Sequence, residues 1–213
     1  PETEVLLCKE TREPMNEAET RAELIDPRLK DAGWGDVDGT KILREHKITA
    51  GKIQTGGGRA KPLSADYVLV YKGRKLAVVE AKSDDVEVGE GVMQAKQYGL
   101  MLHLDFTYSS NGKEIYAINL KTGKEGLIGS FPTPDELWKA TFAKQNHWRD
   151  TFSGVPFEDL GGTKKPYYFQ ENAVNKAMSA IADGKDRILL TLATGTGKTF
   201  IAFQKYLYAK KVA

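Results

Sequence analysis

A glutamate and a lysine two residues apart, Glu80-Ala81-Lys82, close the segment KLAVVEAK. Its apolar run, residues 76–79, reads as a buried strand, and on a strand residues two apart share a face. Ionised groups are kept inside a core only when they are paired or bind a metal. Asp66 lies fourteen residues before Glu80, on the preceding apolar segment SADYVLVY. If the connecting loop is the three residues Lys72-Gly73-Arg74, position 71 pairs with 75 and Asp66 falls opposite Glu80. A two-residue loop of Gly73-Arg74 would pair Asp66 with Ala81 and turn it to the other face. Two convergent carboxylates repel each other, and a hard, oxygen-preferring cation such as Mg²⁺ relieves that. A cation so held polarises a phosphodiester and activates water. Lys82 would stabilise developing negative charge or orient the water. The motif by itself is weak: Glu45-His46-Lys47 is a second match. That copy has no preceding apolar strand bearing an aspartate, so it is set aside. The plain alternative for residues 80–82 is a cross-strand ion pair at a sheet edge.

Further candidates lie on either side. Gln94 and Tyr98 are four apart and so share one face of the helix that follows. Towards the C-terminus, RILLTLATGTGKTF runs a strand into a loop of Thr194, Gly195, Thr196 and Gly197, then Lys198-Thr199 and a helix. Backbone N–H groups of such a loop hold phosphates; Lys198 would reach the terminal ones and Thr199 would ligate Mg²⁺. Leu192 stands where the strict pattern has its first glycine. The Gly-rich stretch 50–62 carries Lys52, Arg59 and Lys61 without an acid. Its plain reading is a surface loop, but it would also suit contact with a DNA backbone. His46, His103 and His147 show no metal-ligand spacing.

The elements that must position these groups are legible in outline. An apolar stripe of Ala18, Ala22, Ile25, Leu29 and Ala32 predicts a helix over 16–33, restarting with Asp26 as N-cap and Pro27 in first position, and stopping at Gly33. The two apolar segments around Lys72-Gly73-Arg74 predict a hairpin. A helix over 90–103 follows, then strands at 105–109, 114–120 and 126–131. Thr133, Pro134 and Glu136 open another helix with a capping box. Residues 148–165 carry Gly, Pro and Ser and read as a linker between a unit at 1–147 and a second at 166–213. The second unit is expected as helix 170–182, strand 187–193 and helix 198–211, cut short at the end of the chain. The fold class is therefore α/β. Hydrophobic content of 40%, charge of 28% and a net charge of +2 describe an ordinary soluble protein, so any nucleic-acid surface must be local. One cysteine excludes an internal disulfide framework and fits a reducing cytoplasm. No apolar run reaches membrane-spanning length.

Asp66, Glu80-Ala81-Lys82 and Gln94-x-x-x-Tyr98 together resemble the PD-(D/E)xK nuclease superfamily, in particular its RecB-like branch. The resemblance implies a mixed sheet flanked by helices and Mg²⁺-dependent DNA cleavage, with Gln94 and Tyr98 positioning DNA or the catalytic groups. The proline usual before the aspartate is absent, Ala65 standing there. Members also place an acid on the first helix; Glu19 is the favoured candidate and Glu23 the other. The x-A-T-G-T-G-K-T loop resembles motif I of superfamily 2 helicases and translocases, and YYFQENAV resembles their upstream Q motif, in which Gln170 would read adenine. This implies ATP binding at the start of a RecA-like P-loop domain. The order of the two units, with NEAETRAELIDPRLKDAGW near the start, resembles the N-terminal part of the restriction (motor) subunit of Type I restriction–modification enzymes. That implies a site-specific, ATP-dependent deoxyribonuclease acting on double-stranded DNA beside methyltransferase and specificity subunits, in a prokaryotic cytoplasm. This fragment alone is not expected to turn over ATP. Two other readings stay open: another nuclease–helicase fusion, such as a repair exonuclease, and a translocase whose nuclease-like unit is an inert docking platform.

Overall fold

The computed structural model describes residues 13–49, 62–142, 146–153, 155–157 and 165–212. Among these residues six strands form one sheet in chain order: β1 (Thr40–Thr49), β2 (Leu63–Tyr71), β3 (Arg74–Ala81), β4 (Phe106–Ser110), β5 (Ile115–Asn119) and β6 (Glu125–Ile128). All neighbours are antiparallel except β3 and β4, which run parallel. A parallel pair needs a crossover, and helix α3 (Val92–Leu102) provides it. The sheet is buried on both faces, which is why β2 and β3 read as near-continuous apolar runs. Against one face, Ile25, Leu29, Trp34 and Leu137 pack on Tyr67, Leu69, Leu76 and Val79. Against the other, Tyr98 and Leu102 of α3 pack on Val68, Val70 and Val78.

The hairpin corrects the expected loop and keeps its consequence. Tyr71 pairs with Arg74, so the turn is Lys72-Gly73, two residues, both with positive φ (48° and 72°). This is the primed turn geometry that matches strand twist. Val70 pairs with Lys75, but Leu69 pairs with Ala77, so Leu76 is bulged out of the ladder. One residue fewer in the turn and one more in the strand leave the register as expected. From Tyr67 opposite Val79, the next step sets Asp66 opposite Glu80.

Three other expectations change. The first helical run does not restart at Asp26. Helix α1 (Glu17–Thr20) passes through a π-helical stretch (Arg21–Ile25) into α2 (Asp26–Asp31), and Asp26 itself has helical φ/ψ. The wider turn lets the Asp26 N–H reach the Arg21 carbonyl, and Pro27, which has no N–H to give, follows without breaking the helix. Strand β1 was not foreseen; its charged sequence TKILREHKIT and irregular burial hide the alternation. Residues 187–193 form no ladder among the described residues, and Leu189 is exposed. The Thr133 capping box on α4 (Pro134–Thr141) is present as expected, as is a left-handed Gly33 just beyond α2.

The segment read as a linker takes in all but the first residue of α5 (His147–Ser153). Its Phe152 packs with Val174 and Met178 of α6 (Tyr168–Ala182) and Ile201 and Tyr208 of α7 (Lys198–Val212). Helix α6 is also fastened to β3 and α3. Arg74 donates to Asn175 and Ser179 (2.7 and 2.9 Å), Lys75 pairs with Glu171 (2.6 Å), and Asn172 donates to the Met101 carbonyl (3.1 Å). No helix among the described residues is long and apolar enough to cross a membrane.

Candidate active site

Strand register brings the acidic groups into one row. Arg44 pairs with Tyr67 and His46 with Ala65, which sets Glu45 opposite Asp66; Asp66 faces Glu80, and Glu80 pairs with Ser109. Glu80 and Lys82 lie on the face covered by α3. Lys82 Nζ donates to Glu80 Oε1 (3.1 Å) and to Gln94 Oε1 (3.4 Å), and Gln94 Nε2 donates to the Tyr98 hydroxyl (2.9 Å). The structure therefore joins Glu80, Lys82, Gln94 and Tyr98 in one chain of contacts. Asp66 Oδ2 accepts the Ala81 N–H (2.8 Å), which fixes the carboxylate against β3.

Glu80 is 2% exposed, and its second oxygen, Oε2, has no hydrogen-bond partner among the described residues. Burial pushes its carboxyl up to about 7, with the Asp66 charge adding to the shift and Lys82 opposing it. Burial also raises Asp66, against the pull of the Ala81 N–H. An orphaned carboxylate oxygen beside a second carboxylate is an unsatisfied arrangement, and a cation would satisfy it. Among the described residues no group of three or more His, Cys, Asp or Glu is arranged to hold a metal ion. Two carboxylates completed by water is a habit of Mg²⁺ rather than of Zn²⁺. Gly91, just before α3, makes the row possible: a Cβ there would collide with Ser109 Oγ and come within 3.3 Å of Glu80 Cγ.

Glu19 is exposed and its carboxylate accepts the Asn16 N–H (3.0 Å) in a capping box, so it serves the helix end. Glu23 is likewise exposed. The acid whose charge raises both Asp66 and Glu80 is Glu17. Sequence reasoning also missed Arg21, which donates to Asp66 Oδ1 (3.3 Å) and Glu45 Oε1 (3.5 Å). Its one signal was its place four residues after Glu17. Lys52, Arg59 and Lys61 lie outside the described residues.

At the other end, Thr194, Lys198 and Thr199 are exposed, and Gly195 and Gly197 both take positive φ (80° and 82°). Gln170 is buried: it accepts the Tyr167 N–H and donates to the Thr196 carbonyl (2.9 Å). Its amide thus braces the loop.

The endonuclease subunit of the Type I restriction enzyme EcoAI from Escherichia coli is 34% identical over 89% of this chain and 25% of its own length. A solved fragment from Vibrio vulnificus YJ016, carrying the name HsdR subunit of a type I restriction enzyme, is 38% identical. It superposes with a TM-score of 0.81 over 92% of this chain and 38% of its own. The chain is homologous to part of the HsdR subunit of Type I restriction enzymes. The EcoKI endonuclease subunit of Escherichia coli K12 is 29% identical over 87% of the chain and 20% of its own length. The family described as the res subunit of Type III restriction enzymes matches residues 163–212 alone. That match names a different restriction type but is confined to residues 163–212, whereas the Type I likeness extends over 89–92% of the chain. The chain covers a quarter or less of the curated relatives, which are named as endonuclease subunits.

Proposed function

We propose that this HsdR homologue carries a Mg²⁺-dependent endonuclease site for double-stranded DNA in a PD-(D/E)xK unit at 1–147, joined through 148–165 to the start of a RecA-like motor at 166–213. The observation that carries this reading is the buried Glu80, with one orphaned oxygen, facing Asp66 while Lys82 bridges to Gln94. Asp66 and Glu80 would hold the cation. When bound, Mg²⁺ supplies a Lewis acid for the phosphodiester and a more acidic water. Lys82 has two of its three ammonium donors committed to Glu80 and Gln94, and the third serves a phosphoryl oxygen or the attacking water. Tyr98 and Gln94 fix the direction of that ammonium, because a long side chain with one partner would wander. Around the motor loop, Thr194 to Gly197 and the first turn of α7 would cradle ATP phosphates, with Lys198 and Thr199 in the roles of charge and Mg²⁺ ligand. In the full-length subunit, cleavage is coupled to ATP-driven translocation within a complex of methyltransferase and specificity subunits.

The test uses the full-length subunit assembled with its partners on closed circular plasmid, comparing wild type with Asp66→Ala, Glu80→Ala and Lys82→Ala. Loss of linearisation with ATP hydrolysis intact is the expected result. Cutting by all three variants would make the row structural and the unit a docking platform. Degradation confined to linear DNA would favour an end-dependent exonuclease.

A further inference from the structure

The cation reading leaves Arg21 unexplained, and the following rests on that reading. Asp66 Oδ2 is engaged by the Ala81 N–H, so Oδ1 is the oxygen left for a cation, and Oδ1 is where the Arg21 guanidinium sits. A guanidinium and a dication repel each other and want the same oxygen. The Arg21 contacts are long for charge-assisted pairs, 3.3 Å to Asp66 and 3.5 Å to Glu45. By contrast Arg44 closes on Asp26 at 2.9 Å in the same neighbourhood. Arg21 is therefore shared between two carboxylates without closing on either. The second of these, Glu45, is a non-glycine residue with φ of 50° in the middle of β1, and its side chain is largely exposed. A left-handed residue inside a strand is an outlier that the surrounding structure must impose. Here it sets an acid opposite Asp66 in the row and within reach of the same guanidinium.

We propose that Arg21 is a positioning residue that sets how tightly the site takes its cation. Its guanidinium shields Asp66 Oδ1 in the cation-free protein and withdraws to Glu45 when the cation enters. Glu45 is the parking partner that makes withdrawal cheap. The two residues then act with opposite sign. Removing the Arg21 charge relieves competition, whereas removing the Glu45 charge drives Arg21 onto Asp66.

The experiment is calorimetric titration of Mg²⁺ into the full-length subunit without nucleotide, with Asp66→Ala defining the heat that comes from other sites. Arg21→Gln is expected to tighten Mg²⁺ binding by about three- to tenfold, the scale of one charge at a partly exposed site. Glu45→Gln is expected to weaken it by about two- to threefold. Unchanged or weaker binding in Arg21→Gln overturns the proposal, since Arg21 would then be a fixed orienter of Asp66. If Arg21→Gln does not fold, Glu45→Gln decides: weaker binding supports the exchange, and unchanged or tighter binding refutes it. If Asp66→Ala leaves the titration unaltered, the cation reading itself fails. If Asp66→Ala abolishes the heat while Arg21→Gln does not tighten it, only the role of Arg21 falls.

Discussion

Glu80→Gln removes a charge that the cation-free protein holds at a cost. Burial and the facing Asp66 raise the Glu80 carboxyl from 4.5 to about 7. At about 1.4 kcal/mol per unit, that is about 3 kcal/mol against the ionised form. The side chain is almost wholly buried, so solvent screening takes little from it. A carboxyl whose folded value is raised binds its proton more tightly in the folded state. Stability is then full below the unfolded value near 4.5 and is lost as pH rises through about 7. Glutamine has the same shape and no charge, so it escapes this loss. With the cation removed by EDTA, the variant is expected to match wild type at pH 5 and to exceed it by about 3 kcal/mol at pH 8.5. Hydrogen exchange at the β3 amides of Val78 and Val79 reads this locally, whatever the rest of the subunit does. Comparison at equal pH cancels the intrinsic exchange rate. A variant equal to wild type at both pH values, or less protected at pH 8.5, would refute the argument. It would mean that the Lys82 ion pair outweighs burial and that the orphaned oxygen is no sign of a missing cation.

Gly91→Ala should lower cleavage strongly and cost about 1–3 kcal/mol. The new methyl drives into Ser109 and crowds Glu80 while Gly91's own φ of −83° is ordinary, so the fault is steric; plasmid linearisation and thermal unfolding would show it. Glu19→Gln should leave Mg²⁺ affinity and cleavage unchanged and cost at most about 1 kcal/mol, because only the Asn16 cap is weakened; a variant dead in cleavage would return Glu19 to the site. Gln170→Ala should reduce ATP hydrolysis in the full-length subunit by raising KM, since the loop loses its brace at Thr196; an unchanged KM would make Gln170 a helix-cap residue only.

The acidic row was legible because counting along one hairpin is enough to set it. A turn residue exchanged for the Leu76 bulge altered the path and kept the parity, which is what decides the face. Gln94 and Tyr98 were legible for the same kind of reason, as a four-residue step on one helix. Strand 187–193 failed on the opposite ground. A strand is defined by its ladder, and its apolar sequence says nothing about which residues will pair with it; among the described residues none do.

Glu17, Arg21 and Glu45 show where counting stops. Glu17 and Arg21 sit on a helical run whose rotation is set by Ile25 and Leu29 burying against the far face of the sheet. That rotation, with the π-helical stretch beginning at Arg21 itself, decides that Arg21 meets Asp66. No spacing rule for a regular helix contains a turn of altered pitch. Glu45 was discarded as a stray Glu-x-Lys match because it has no apolar hairpin strand of its own. It nonetheless enters the row from the strand on the other side of Asp66, and its left-handed backbone is a tertiary fact with no glycine to announce it. The residues sequence reasoning found are those that would hold the cation. The residues it missed are those that would govern access to it, and these come from elements brought together only by the packed core.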